Sequence, residues 1–200
     1  MPDRLSLGFD TSAAHCAAAL LQGDRLLALR HEDMSRGQAE RLMPMLEEML
    51  TGAGIGWRDL DVLGVGIGPG NFTGIRVAVA AARGLALALR IPAIGVSVTE
   101  AAAWGLTRPC RVVVAGKGDQ VIWEDFEAGV ERDRESRPQQ AAAGALPPGP
   151  VPAAPAVALA EGVARVALAR ADQDLPRAAP LYLRPADAAP AREAPPRILP

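Results

Sequence analysis

Three polar residues near the start of the chain, Asp10, Thr11 and Ser12, are the first candidates for chemistry. They follow an alternating apolar run that begins at Leu5, which predicts a strand ending at Asp10. An aspartate in this position can hold a metal ion through water, and hydroxyls with backbone N–H groups can surround phosphate oxygens. The same tripeptide is equally typical of an aspartate-initiated turn that closes a hairpin. The residues alone leave both interpretations open.

A second candidate is the turn Gly68-Pro69-Gly70 and the residues that follow it. Its two glycines allow positive φ or a close approach to another chain segment. Thr73 is placed to cap the next helix, whose first N–H groups attract anions. A tight strand-to-helix turn without a ligand explains the same residues. The candidate nucleotide or anion site therefore comprises Asp10, Thr11, Ser12, Gly68, Gly70 and Thr73.

Other catalytic groups are few. The two histidines, His15 and His31, have a separation that matches no metal-binding pair. Cys16 and Cys110 form neither a CxxC pair nor a disulfide framework, and we expect both thiols to be reduced and buried. No GxSxG, Walker-type GxxxxGK or Cys–His pair is evident. We therefore expect no catalytic residue and no metal ligand in this chain.

The composition restricts the class of protein. Of the 200 residues, 50% are apolar and 22% are charged, which is typical of a globular chain long enough to bury a core. The net charge is −2 and no basic stripe is present, so any nucleic acid is expected to be held mainly by a partner. The longest apolar stretch, residues 77–89, is interrupted by Arg83 and Gly84 and is short for a membrane span. The N-terminus has no signal-peptide pattern, and we expect a cytoplasmic protein without membrane contact.

The period of the apolar residues organises the first hundred positions. Short alternating runs around a Gly–Asp turn predict an antiparallel meander of three strands. A helix follows, with Ser35 and Gln38 as its capping box, and then a strand, a long alanine-rich helix and another strand. This order is that of the ribonuclease-H-like lobe of actin, hexokinase and Hsp70-type ATPases, although a fold alone says little about function. The predicted strands are 5–10, 17–21, 25–30, 61–67 and 91–98, and the long helix is 73–90.

The second half of the chain has a weaker pattern. We predict a short helix at 100–106, a hairpin over 111–126 and a helix at 157–170. The segment 139–155 is rich in Ala, Pro and Gly and is predicted to be a loop.

The alanine-rich helix has small residues every fourth position, at Gly74, Ala78 and Ala82. Such a stripe lets a second helix pack closely, and it can equally pack against the sheet of its own lobe. Because the helix is small or apolar on nearly every face, burial on more than one side is expected. We therefore predict a subunit interface formed with the methionine-rich first helix. Its predicted residues are Ala39, Leu42, Met45, Met49, Gly74, Arg76, Ala78 and Ala82.

Four segments carry a resemblance to a known family. The sequence Leu7-Gly-Phe-Asp-Thr-Ser12 and the long stretch Gly68-Pro-Gly-Asn-Phe-Thr-Gly-Ile-Arg76 resemble segments of the TsaB (YeaZ) family, which is paralogous to TsaD. Gln38-Ala-Glu-Arg-Leu-Met-Pro44 is similar to a family helix in which His is usual at the first position. Pro180-Leu-Tyr-Leu-Arg-Pro185, followed by Asp187, resembles the C-terminal signature. One departure is Ala115-Gly-Lys-Gly118, where the family usually has an aspartate, which puts the role of the second lobe in doubt.

The resemblance implies an α/β fold of the ASKHA type (actin/Hsp70-like, ribonuclease-H-like), two-lobed, with a reduced second lobe. On this basis residues 1–100 form the N-terminal lobe with the partner-binding helices. Residues 101–187 form a smaller C-terminal lobe, and residues 188–200 a flexible tail.

The resemblance also implies a function. Members of this family are accessory subunits that bind and activate TsaD, which transfers the threonylcarbamoyl group to adenosine 37 of ANN-decoding tRNAs (t6A). The expected partners are TsaD, the ATPase TsaE in a ternary complex, and a second copy of the chain when it is alone, with tRNA only indirectly. No cofactor is expected in this chain alone, and ATP or ADP is an option at the complex interface. The alternative is an enzyme, either a weak ATPase or an M22-type peptidase-like protein.

Overall fold

A computed structural model describes residues 4–128 and 137–183. The chain forms eight strands and four α-helices there, with a 3-10 turn at Trp57–Asp59. In chain order they are β1 (Leu5–Asp10), β2 (His15–Gln22), β3 (Arg25–Asp33), α1 (Gln38–Ala53), β4 (Val62–Gly66), α2 (Phe72–Leu89), β5 (Ala93–Val96), α3 (Val98–Ala102), β6 (Cys110–Ala115), β7 (Gln120–Phe126), β8 (Gln139–Ala142) and α4 (Leu159–Ala169). The predicted tail, residues 188–200, and Arg184, Pro185 and Asp187 of the C-terminal signature lie outside the described residues.

A five-stranded sheet forms the centre of the fold, with strand order β3-β2-β1-β4-β5. β1, β2 and β3 are antiparallel neighbours, while β4 and β5 run parallel to β1. Phe9 on β1 lies opposite Ala18 on one side and Val65 on the other. This is the ribonuclease-H-like arrangement, so the predicted order of strands and helices along the chain and the ASKHA-type α/β fold are confirmed.

Helices cover both faces of this sheet. α1 and α2 pack side by side on one face, and α4 packs on β1 and β4 from the other. Gly8 and Gly64 permit this second contact, because a Cβ atom on Gly8 would lie 2.5 Å from Ala164 N and one on Gly64 2.7 Å from Val163 O. α4 belongs to the segment 101–187 that the sequence assigned to a second lobe, yet it packs on the first sheet. The division into lobes at residue 100 stays a prediction.

A three-stranded antiparallel sheet, β6-β7-β8, stands beside the first. It includes β8 within the segment that was predicted to be a loop, so that prediction is wrong at residues 139–142. Arg111 anchors the proline-rich segment that follows: its side chain is 3% exposed, is ion-paired with Asp125 at 2.6 Å and donates to Pro147 O at 2.6 Å. Hydrogen bonds of this kind hold a segment made mainly of proline, alanine and glycine, which has few large side chains to pack.

Two predicted helix starts are wrong. α1 begins behind Gly37, whose φ of 91° places the cap in the left-handed region, and no side chain caps it. The predicted capping residue Gln38 instead donates from its side chain to Met34 O at 3.0 Å. For α2 the cap is Asn71, whose Oδ1 accepts from Gly74 N at 3.0 Å, and Thr73 is an exposed residue inside the first turn.

Among the described residues, α2 is the one helix that is long and apolar enough to cross a membrane by length and composition. It begins five residues before the stretch 77–89 that the sequence indicated, and so it reaches 18 residues. Its side chains Ile75, Ala78 and Val79 are buried in the core against the first sheet. A core helix passes the same test, so this finding is weak evidence for a span.

Candidate functional site

The first predicted site residue, Asp10, lies at the carboxyl end of β1 and is fully buried. Its Oδ1 accepts hydrogen bonds from Ser12 N and Ser12 Oγ, both at 2.9 Å, and lies 2.7 Å from His15 Nε2. Its Oδ2 is the one buried side-chain oxygen or nitrogen without a partner among the described residues. A side chain on Gly66 would overlap this oxygen, so the glycine leaves room for it.

The Gly68-Pro69-Gly70 turn and the start of α2 pack against Asp10, Thr11 and Ser12 at the end of β1. We call this region the Asp10 corner. Thr11 Oγ1 donates to Gly74 O at 2.7 Å, and Asn71 N donates to Ser12 O at 2.6 Å. A Cβ atom on Gly70 would overlap Ser12 O, and one on Gly74 would overlap Thr11 O. Gly70 and Gly74 therefore allow the start of α2 and the end of β1 to pack in contact. A close approach of this kind was one of the two roles expected of glycines in this turn region, the other being a positive φ.

The six predicted nucleotide or anion residues therefore lie in one corner but do not form an open phosphate loop. The hydroxyls of Thr11 and Ser12 donate within the chain. Gly68, with φ of 93°, directs its carbonyl oxygen to Val98 N at 3.0 Å. A cleft of about 580 Å³ opens next to this corner and is lined by Ser12, Gly70, Lys117 and Tyr182, among others, with no Asp or Glu among its lining residues.

Metal-binding groups and thiols are further candidates for chemistry in the described residues. These contain no group of three or more His, Cys, Asp or Glu that could hold a metal ion. Burial raises the pKa of the Cys16 thiol to about 11 and also raises the pKa of Cys110, so neither supplies a thiolate near neutral pH.

The fold brings together two histidines that the sequence interpretation kept apart. The rings of His15 and His31 lie 5.0 Å apart, because β2 and β3 pair in a hairpin that turns at Gly23. The signal was present in the sequence: both residues are eight positions from Gly23, the centre of the predicted hairpin. Each ring nitrogen Nε2 lies beside a carboxylate, that of His15 at 2.7 Å from Asp10 and that of His31 at 3.1 Å from Asp33.

The predicted interface residues are mostly internal, and this prediction is corrected. Their stripe faces the sheet of their own lobe, which was the stated alternative. Only Ala39 and Arg76 are exposed. The buried members are Leu42, Met45, Met49, Gly74, Ala78 and Ala82.

The opposite side of the same helix is open. We call Phe72, Arg76, Ala80, Gly84 and Leu87 the outer face of α2; all five are exposed. Leu87 is 82% exposed, and a Cβ atom on Gly84 would meet nothing within 4 Å. On α1, Met43 is also exposed, at 39%. Large exposed apolar side chains beside small residues are typical of a protein-binding surface.

A C-terminal segment, residues 178–183, braces α2. Arg83 Nε donates to Ala178 O at 2.7 Å, and Leu181 N donates to Ile67 O at 2.8 Å. The Tyr182 ring stacks on Phe72 with centroids 5.2 Å apart. The sequence interpretation missed these contacts, since they join residues about a hundred positions apart and have no local signal.

Comparison with known proteins agrees with this architecture. Residues 31–181 match the family described as "TsaD: tRNA N6-adenosine threonylcarbamoyltransferase". The chain is 36% identical to the tRNA threonylcarbamoyladenosine biosynthesis protein TsaB of Escherichia coli (strain K12) over 127 residues, which are 60% of this chain and 54% of the relative. It is 33% identical over 146 residues to an uncharacterized protein of Mycobacterium tuberculosis (strain ATCC 25618 / H37Rv), covering 72% and 68% of the two chains.

A solved structure extends the likeness. YeaZ from Pseudomonas aeruginosa superposes with a TM-score of 0.65 at 27% identity, covering 90% of this chain and all of that one. The chain spans about half of the length of the first curated relatives that it matches, from 47% to 59%. The family match over three quarters of the chain, the curated TsaB relatives and the YeaZ structure together show that the chain belongs to the TsaB (YeaZ) family.

Proposed function

We propose that this chain acts in the biosynthesis of threonylcarbamoyladenosine in tRNA, as a non-catalytic subunit that binds and activates TsaD. The observation that carries the proposal is the outer face of α2, an exposed apolar and small-residue surface on a well-packed helix. The names of its TsaB relatives support the pathway. The family resemblance supplies TsaD as the partner.

The corner around Asp10 supports a role without catalysis. An ATPase needs free donors for phosphate, and here the hydroxyls of Thr11 and Ser12 already donate within the chain. A metallopeptidase needs a metal site, and the described residues contain no group of three or more His, Cys, Asp or Glu that could hold the ion. No observation favours the enzyme alternative over the subunit.

Further partners follow from the same surface. We infer that TsaE joins the pair in a ternary complex, and that a second copy of the chain occupies the outer face of α2 when TsaD is absent. The acidic net charge of −2 supports indirect contact with tRNA. ATP or ADP is assigned to the interface with the partner, and the expected location is the cytoplasm.

The test is co-expression with TsaD from the same organism. Gly84→Trp places a large side chain on the outer face of α2, where the present Cβ position is open, and should abolish co-purification. Gly144→Trp is the matched control, because Gly144 is also exposed and open but lies beyond β8. Substitutions at Gly74 or Ala78 are unsuitable, since both are buried within this chain. If Gly84→Trp co-purifies as well as Gly144→Trp, the proposed binding surface is wrong.

A further inference from the structure

One arginine on the outer face of α2 is held in place by aromatic rings. The guanidinium carbon of Arg76 lies 3.7 Å from the centroid of the Phe72 ring. Arg76 Nε donates a hydrogen bond to Tyr182 Oη at 2.9 Å, and the Tyr182 ring in turn stacks on Phe72 at 5.2 Å with an interplanar angle of 30°. Two aromatic side chains from distant segments, Phe72 and Tyr182, thus fix the guanidinium group of Arg76 at the surface.

Arg76 still has two terminal nitrogens to offer. Within residues 4–128 and 137–183, no hydrogen bond or ion pair engages them. Some other arginines have their guanidinium groups occupied: Arg41 binds Glu32 and Glu48, and Arg170 binds Glu100. Arg76 differs from these because it is exposed, and its stacking on Phe72 and its bond to Tyr182 use only Nε and the face of the group.

A fixed guanidinium fork is suited to one kind of ligand. Its planar donors match the two oxygens of a carboxylate or phosphate in a bidentate pair. Since stacking on Phe72 and the bond to Tyr182 already order the side chain, little rotamer freedom is lost when the ligand binds. The neighbouring apolar surface would partly exclude water from such a pair, which strengthens it.

We propose that Arg76 receives a carboxylate side chain of the protein that packs on the outer face of α2. This inference rests on the proposed function and names the chemistry that the partner must bring. A protein carboxylate fits better than RNA phosphate, because Ala80, Gly84 and Leu87 continue the surface as an apolar one. Binding of RNA requires several cations, and the other arginine of α2, Arg83, is tied to Ala178 O.

The experiment measures the Kd of the purified chain for TsaD by calorimetry. Arg76→Gln removes the charge and should weaken binding about tenfold or more. Arg76→Lys keeps the charge but loses the fork and the stacking geometry, so it should recover only part of the affinity. Tyr182→Phe keeps the ring and loses the hydroxyl that holds Arg76 Nε, and a loss of about threefold is expected.

Arg58→Gln is the matched control. Arg58 is exposed in the 3-10 turn, and within residues 4–128 and 137–183 its side chain makes no hydrogen bond or ion pair. Its replacement changes the net charge by the same amount. Only Arg76→Gln should reduce the dependence of Kd on salt between about 50 and about 500 mM NaCl. Equal Kd values and salt slopes for the two variants would overturn the inference. Circular dichroism confirms that each variant is folded.

The remaining outcomes separate this inference from the proposed function. If the wild-type chain does not bind TsaD, the proposed function fails. If Gly84→Trp blocks binding while Arg76→Gln matches Arg58→Gln, the function stands and the carboxylate contact is wrong. If Arg76→Gln leaves the Kd for TsaD unchanged but weakens tRNA binding by the complex, the ligand is a phosphate and the inference is wrong. A last test repeats Arg76→Gln in a chain in which Asp187 and Glu193 are already replaced by Asn and Gln. If Arg76→Gln no longer changes the Kd in that chain, the guanidinium group binds the chain's own carboxylates, and the inference is wrong.

Discussion

Gly74 in the first turn of α2 lies against Thr11 at the end of β1. The Thr11 hydroxyl donates to Gly74 O at 2.7 Å, and a Cβ atom on Gly74 would overlap the Thr11 carbonyl oxygen. This contact positions α2 on the sheet and thereby determines which side of the helix faces outward. The glycine-rich turn therefore positions the proposed partner-binding surface through packing within the chain.

The first prediction contrasts two glycines of α2. Gly74→Ala should lower the free energy of unfolding by about 2 kcal/mol or more, because the new methyl group meets backbone that cannot move away cheaply. Gly84→Ala should raise it by roughly 0.5 to 1 kcal/mol, since its Cβ is in open space and alanine favours a helix. Urea denaturation of the two variants checks both signs. A loss of stability in Gly84→Ala, or none in Gly74→Ala, would contradict this packing.

This pair of glycines also shows how far the sequence could be interpreted. The repeat of small residues at Gly74, Ala78 and Ala82 correctly indicated a close contact, but it gave no information on what the contact was with. Composition does not distinguish a neighbouring strand end from another subunit, since both require small side chains. The charged residues Arg76 and Arg83 indicated the side of α2 that faces solvent, because charged side chains are seldom placed against a core.

Other parts of the fold were predictable to different degrees. The order of strands and helices along the chain could be predicted from the spacing of apolar residues and from the turn residues, which are local signals. The start of α1 was wrong because Ser35 and Gln38 fit a capping box, while the backbone uses the left-handed conformation of Gly37. The brace formed by Arg76 and Tyr182 could not be predicted, because the contact spans 106 positions and depends on the path of the whole chain.

The second prediction concerns acid stability. Arg41 on α1 donates hydrogen bonds to Glu32 on β3 and to Glu48, two turns further along the same face of α1, and this lowers the pKa of both glutamates. Carboxyl groups with a lowered pKa in the folded state add stability above the ordinary glutamate pKa of about 4.3, and the gain is lost as pH falls through the lowered value. Stability of the wild-type chain should therefore fall more steeply below about pH 4.3 than that of Arg41→Gln. Melting temperatures of both proteins between about pH 3 and about pH 6 test this prediction. If the two melting temperatures fall in parallel as the pH is lowered, the ion pairs of Arg41 do not contribute to acid stability.

The third prediction concerns thiol chemistry. Cys16 is fully buried, and burial raises its pKa to about 11. We expect it to resist iodoacetamide at pH 8 in the folded protein and to react once the chain is unfolded in guanidinium chloride. Mass spectrometry of the labelled peptides gives the result. Rapid labelling of Cys16 under native conditions would show that β2 opens far more readily than its packing indicates.

The fourth prediction concerns Arg111, which is buried and joins Asp125 to the carbonyl oxygen of Pro147. Arg111→Met leaves these acceptors without their donor and should destabilise the fold by about 2 kcal/mol. Because the contact holds the proline-rich segment, limited proteolysis should cut near residues 147–152 faster in the variant. Unchanged stability and an unchanged cleavage pattern would show that the segment is held by other contacts.

The central claim is that the outer face of α2 binds the partner, and Leu87 tests it most directly. At 82% exposure its side chain contributes little to folding, so Leu87→Glu should leave the melting temperature close to that of the wild type. We expect the same change to weaken the Kd for TsaD about tenfold or more, because it places a charge in an apolar contact. Thr51→Glu, an exposed change on α1, provides the control for added negative charge. A Leu87→Glu variant that binds TsaD with the affinity of the wild type would contradict the account.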